Sequence, residues 1–165
     1  IMTLYEKYFL PKLLDCCCGM EGFQKKRAQI IPRAHGRVLE IGIGSGLNFD
    51  FYDFKKVTEV VGVDPAVSSV AIAKSRASNF DSKISFIETT AESIDLESST
   101  FDSAVIGYSL CTIPDPMQAL AEAHRLLKPG GSLFFMEHKH LHYFYLFCIE
   151  NCIRSIFFDL NPASQ

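Results

Sequence analysis

Apolar residues in this chain fall in short continuous runs, separated by glycine, proline and charged residues. Five runs have the length and composition of strands: 37–41 (RVLEI), 59–63 (EVVGV), 84–87 (ISFI), 101–107 (FDSAVIG) and 132–136 (SLFFM). Each is too short for a helix, carries β-branched or aromatic residues and is bounded by turn formers. Helical periodicity lies between them. Residues 3–31 place Leu4, Tyr8, Leu13, Leu14 and Ile30 at roughly helical spacing, broken at Pro11, Gly19 and Gly22. A helix is predicted from Leu47 onward and another over 66–78. The clearest amphipathic helix is 116–127 (PMQALAEAHRLL), closed by Lys128-Pro129-Gly130-Gly131. Residues 143–158 read as a last helix.

Strands alternating with helices predict βαβ units and an α/β fold, a doubly wound parallel sheet with helices on both faces. The strands are nearly continuous in hydrophobicity, as strands covered on both sides are. Three segments follow: an N-terminal helical segment (1–36), a ligand-binding core (37–138) and an apolar helical tail (139–165). The chain has 165 residues, 48% hydrophobic and 21% charged, enough for one domain core without a disulfide or metal staple. A net charge of -3 leaves no basic footprint for nucleic acid. Six cysteines, three of them the consecutive Cys16, Cys17 and Cys18, read as free thiols in a reducing, cytoplasmic compartment. The start, Ile1-Met2, suggests a fragment or an added residue, and no signal-peptide pattern follows.

In doubly wound sheets the ligand lies beyond the carboxyl ends of the strands, so the segments just after each strand carry the candidate chemistry. After the first strand come Glu40-Ile41-Gly42-Ile43-Gly44-Ser45-Gly46, where glycines allow a tight turn and close approach of the backbone to a ligand. A dinucleotide fingerprint counted from Gly42 needs Gly or Ala at position 47 and finds Leu47, against a nicotinamide-dependent oxidoreductase. Glu40, at the strand end, can accept hydrogen bonds or offset a ligand cation. Asp64-Pro65 follows the second strand, about 20 residues past the glycine turn, where a carboxylate can bind ribose hydroxyls. Asp64 can also cap the next helix, with Pro65 at its first position. Small residues around Ala91 and Glu92 leave room for a flat base, and Tyr108 can pack against a cationic centre.

The series VLEIGIGSG, VVGVDPA, TTAES, FDSAVIGYSLCTIPD and LLKPGGSLFFMEH resembles the class I S-adenosylmethionine-dependent methyltransferases over about residues 37–138. It is most similar to the small-molecule branch of ubiquinone and menaquinone C-methyltransferases and to thiol S-methyltransferases. The resemblance implies a Rossmann-like fold with S-adenosyl-L-methionine as cofactor. It places Gly42, Gly44 and Gly46 under the methionine part and Glu40 at the opening of that motif. Asp64 with Pro65 falls at the ribose, Ala91 and Glu92 at the adenine edge, and Tyr108 and Ser109 beneath the sulfonium. The implied activity is methyl transfer to a small, hydrophobic acceptor such as a thiol, a quinone-like carbon or a lipid headgroup.

The family's sheet ends in an antiparallel strand hairpin, for which residues 139–165 leave no room beyond one helix. A truncated chain with an exposed fifth strand is therefore expected, prone to self-association and poor in turnover. The alternative function is a non-catalytic S-adenosylmethionine-binding protein or an inactive fragment. His138, just past the fifth strand, is the candidate acceptor-side acid or base. Cys148 and Cys152 lack a second half for a zinc site, and no metal is expected. His140 and His142 read as solvated. The aromatic stretch 143–158 is interrupted by Glu150, Asn151 and Arg154, which suits peripheral membrane contact better than a span.

Overall fold

The computed structural model describes residues 19–80 and 83–137. The expectations placed on residues 1–18 and 138–165, including Cys16–Cys18, His138, Cys148, Cys152 and the 143–158 stretch, lie outside the described residues. Helix α1 (Glu21–Ile30) runs into a short 3-10 turn at Ile31–Arg33, where Pro32 has no amide to continue the ladder. Then follow β1 (Gly36–Ile41), β2 (Val57–Val63), α2 (Val67–Ala77), β3 (Ile84–Ile87), β4 (Phe101–Gly107), α3 (Pro116–Leu126) and β5 (Leu127–Met136).

The five strands form one sheet in the order β3-β2-β1-β4-β5, and every pair is parallel. The order reverses at β1, between β2 and β4, which puts a crevice at their carboxyl ends. Strand alternation divides the core in two. On one face Leu39, Ile41, Val61, Val63, Ala104 and Ile106 pack under Ala119, Leu120, Ala123 and Leu126 of α3. On the other, Val38, Val60 and Val105 pack under Ile30 and Ile31 at the end of α1 and Ala73 of α2. Helices thus cover both faces. Asp115 caps α3 by accepting from the Gln118 amide, with Pro116 at the first position. Among the described residues no helix is long and apolar enough to cross a membrane.

Two expectations are corrected. No α-helix starts at Leu47. Residues 43–52 instead make successive three-residue steps, Gly46 N–H to Ile43, Phe49 N–H to Gly46 and Tyr52 N–H to Phe49, with a 3-10 turn at Phe49–Phe51. The cause is Phe49, wholly buried against Phe80 and Phe86, which draws the chain into the core before a helix can propagate. The fifth strand also starts earlier than Ser132. Leu127 already pairs with Phe101, and Lys128-Pro129-Gly130-Gly131 forms an irregular bulge before Ser132 meets Ser103. Gly130 supplies the left-handed backbone there (φ +80), and Pro129 sits where no ladder amide is required.

The β3–β4 connection has no helix. Ala91 and Ile94 drop into the α3-side core, and the backbone is held from α3. Arg125 donates to the carbonyls of Ile94 and Leu96, both at 2.8 Å, while Glu122 accepts the Ile94 amide at 3.1 Å. Arg125 and Glu122 also pair with each other, which lowers the Glu122 carboxyl and raises the guanidinium.

Candidate active site

At the carboxyl ends of β1, β2 and β4 lies a cleft of about 320 Å³. The β1 turn forms its floor. Gly42, Gly44 and Gly46 have φ of +73°, +53° and +79°, the left-handed region that side chains resist. The three serve different ends. A Cβ on Gly42 would overlap the Ser109 side chain, and one on Gly46 the Phe49 ring, so these two glycines serve packing. A Cβ on Gly44 would meet nothing within 4 Å: it would enter the cleft itself. Gly44 is therefore the point where a ligand can reach bare backbone.

Asp64 stands beside it at the end of β2. One carboxylate oxygen accepts the Gly44 amide at 2.9 Å and the other the Ala66 amide at 2.8 Å. The carboxylate shapes the glycine turn and still faces the cleft, but it does not cap α2: the N-cap is Ala66 with no side-chain cap, and Pro65 lies before the first helical residue, so the expected Asp64 cap with Pro65 at the first position is corrected. Pro65 is exposed and does not line the cleft; its carbonyl accepts from Val67. Ser109 is buried, its hydroxyl donating to the Ile41 carbonyl at 3.1 Å, which ties the β4 end to the β1 end. Tyr108 adopts φ +58° on the cleft wall. The cation over its ring, at 5.3 Å, is the guanidinium of Arg27, and Phe23 meets its edge at 5.0 Å.

Other expected site residues sit behind or beside the cleft. Glu40 is wholly buried beneath the turn and does not line the cleft. It accepts from Asn48 Nδ2 at 2.8 Å and from the Tyr52 hydroxyl at 2.7 Å. Burial pushes its carboxyl up to about 7, against the pull of those two hydrogen bonds and of the Arg27 charge. Burial, with the Glu40 carboxylate next to it, holds the Tyr52 phenol well above its ordinary range. Ala91 is buried in the core, and Glu92 accepts the Asp115 amide at 3.2 Å, joining the β3–β4 connection to the start of α3. Neither lines the main cleft.

Sequence reasoning missed Arg27, Asn48, Tyr52 and Thr112. Arg27 follows Lys25 and Lys26, so it reads as part of a solvated run; only 4% of it is exposed. Its Nε donates to Asn48 Oδ1 at 2.9 Å, completing a chain from α1 through Asn48 to Glu40.

Comparison with known proteins settles the family. The methyltransferase domain matches residues 39–135, more than half of the chain. The chain belongs to that family. Methyltransferases of this domain take their methyl group from S-adenosylmethionine, and the residues here fit that group: open backbone at Gly44, a carboxylate at the end of β2 and an aromatic wall at Tyr108. Among methyltransferases, the rat thiol S-methyltransferase TMT1B is 38% identical over 104 residues, covering 61% of this chain and 42% of the relative. The ubiquinone/menaquinone biosynthesis C-methyltransferase UbiE of Campylobacter jejuni is 29% identical over 137 residues, covering 83% and 48%. Among solved structures, the YcgJ protein of Bacillus subtilis aligns with a TM-score of 0.59 at 32% identity, over 71% of this chain and 49% of that one. A SAM-dependent methyltransferase from Thermotoga maritima aligns with a TM-score of 0.59 at 28% identity, over 79% and 58%. The chain spans about half the length of the curated methyltransferases it matches.

Proposed function

We propose that the protein transfers a methyl group from S-adenosylmethionine to a small, hydrophobic acceptor: a thiol, a quinone-like carbon or a lipid headgroup. The observation that carries this reading is Gly44, left-handed and open to the cleft, next to the Asp64 carboxylate at the carboxyl end of β2. The cofactor's sulfonium supplies the leaving group for displacement at the methyl carbon. The chain's own part is alignment. Asp64 accepts from ribose hydroxyls, Gly44 lets the chain of the ligand lie against backbone, and Tyr108 walls the side from which an acceptor approaches. A thiolate or an activated carbon needs no general base.

The acceptor classes have support in the relatives, whose names include a thiol S-methyltransferase, quinone C-methyltransferases and a phosphatidylethanolamine N-methyltransferase of Cereibacter sphaeroides. Such acceptors partition to membrane surfaces. We place the protein in the cytoplasm, with peripheral membrane contact through residues 143–158 and self-association as further proposals.

The test is transfer of radiolabelled methyl from S-adenosylmethionine to a panel holding an aliphatic thiol, a quinol and phosphatidylethanolamine vesicles. Transfer to one of them, abolished by Gly44→Val, is expected. Cofactor binding with no transfer to any acceptor would replace this reading with a binding protein.

A further inference from the structure

We propose that Glu137 is a positioning residue of the cleft: its carboxylate holds Tyr108 in the left-handed conformation that keeps the ring on the cleft wall. What the cleft binds rests on the cofactor reading above; the clamp itself does not.

Tyr108 adopts a backbone conformation that its side chain resists, with φ +58°. The other non-glycine residue with positive φ among those described, Ser99, is small, polar and exposed. A bulky side chain is strained in that region. Gly107, one position earlier, does not take the reversal because it is still in the ladder, paired with Met136. The strain therefore falls on Tyr108, and such a conformation persists only where its surroundings over-determine it.

The surroundings hold three consecutive residues. The Tyr108 amide donates to the Met136 carbonyl at 2.7 Å, the Ser109 hydroxyl to the Ile41 carbonyl at 3.1 Å and the Leu110 amide to the Glu137 carboxylate at 3.0 Å. The first two rest on main-chain carbonyls at the ends of β5 and β1. The third rests on a side chain from outside the segment, so it is the one a substitution can remove. Leu110 is buried, its amide needs an acceptor within the protein, and an ionised carboxylate is a strong one. Thr112 follows, bonded back to the Ser109 carbonyl through both its amide and its hydroxyl. Tyr108, Ser109 and Thr112 all line the cleft, and Glu137 does not. It acts on a ligand through the segment it holds.

The chain contains no tryptophan, so Tyr108→Trp places a single fluorescent reporter on the cleft wall. In that background Glu137→Met removes the acceptor at nearly constant length, while Glu137→Gln keeps a carbonyl oxygen for the Leu110 amide. Glu137→Met should shift the emission to the red and raise its quenching by acrylamide; Glu137→Gln should leave both close to those of the reporter alone. With Tyr108 in place, Glu137→Met should weaken S-adenosylhomocysteine binding by about 10-fold, as the held conformer loses the weight that a charge-assisted hydrogen bond gives it. Glu137→Gln should restore most of that loss. In the Tyr108→Gly variant, whose backbone takes the left-handed region freely, adding Glu137→Met should weaken binding little further. Unchanged emission in a Glu137→Met protein with the circular dichroism of the reporter alone would overturn the proposal without any ligand. So would an equal loss of affinity from Glu137→Met with and without Tyr108→Gly. If Glu137→Met does not fold, the double variant with Tyr108→Gly decides: restored folding supports the clamp, and continued unfolding overturns it. A wild type that binds no S-adenosylhomocysteine would sink the cofactor reading, while the emission still decides the clamp.

Discussion

On the α3 side of the sheet, Leu39, Ile41, Val61, Val63, Ala104 and Ile106 meet Ala119, Leu120, Ala123 and Leu126, all apolar. On the α1 and α2 side the same strands set Glu40 beside Val38 and link it to Asn48, Tyr52 and Arg27. The first face gains stability from area alone, roughly 25 cal/mol for each Å² of apolar surface removed from water. The second gives up part of that gain to bury a carboxyl, and in return fixes the angle at which the β1 turn leaves the sheet. Stability and site geometry are thus separated across a single layer of strands. A change on the apolar face should lower stability and leave ligand recognition intact. A change on the polar face should do the opposite or couple the two.

The largest expected effect tests the apolar face. Leu39→Ala should cost about 2–5 kcal/mol in urea unfolding, with cofactor affinity preserved in the protein that remains folded. A matching loss of affinity would mean that the two faces are not independent.

Glu40 sharpens the contrast through pH. Its carboxyl rises from 4.5 to about 7 on folding, so the folded chain holds the proton more tightly than the unfolded one. The stability this group contributes is therefore complete below pH 4.5 and lost as pH rises through 7, on the order of 3 kcal/mol in all. Unfolding of the wild type in urea between pH 5 and 8 should show this decline, and Glu40→Gln should flatten it. The same slope in both proteins would place the titration elsewhere.

At the cleft, Asp64→Ala should weaken S-adenosylhomocysteine binding by about 1.5–3 kcal/mol, measured calorimetrically. Unchanged affinity in a folded variant would reduce Asp64 to the anchor of the Gly44 and Ala66 amides. The smallest effect is expected at the sheet's margin. Lys128 and Asp102 pair at 2.6 Å with much of each side chain in solvent, and that pairing lowers the Asp102 carboxyl. Lys128→Ala should cost about 1 kcal/mol or less in the same unfolding assay, and should shed most of that cost at high salt.

What could be read before the structure follows from the range of each interaction. All five strands were legible, because a strand buried on both faces must be apolar along its length, and 84–87 and 101–107 have their expected bounds. The glycine turn and Asp64 were legible because backbone geometry confines the choice of residue there. Arg27, Asn48 and Tyr52 were not. Their role depends on meeting Glu40 in space, and each looks ordinary in its own neighbourhood. The helix expected from Leu47 failed for a related reason. Phe49 gains more by packing against Phe80 and Phe86 than by extending a ladder. Ala91 and Glu92 sit on the β3–β4 connection away from the cleft lining, and no local pattern announces the attachment of that connection to α3 through Asp115 and Arg125.

That attachment has a bearing on how the protein can change over generations. Arg125 takes hold of main-chain carbonyls at Ile94 and Leu96, and Glu122 of a main-chain amide. A grip on the peptide backbone is blind to the side chains that the backbone carries. A position such as Glu97 is therefore free to drift while the loop keeps its course, and tolerance there stands beside intolerance at Arg125, which also holds the Ser98 hydroxyl at 3.1 Å. Such a loop can then explore new surface chemistry by single substitutions, without first having to refold.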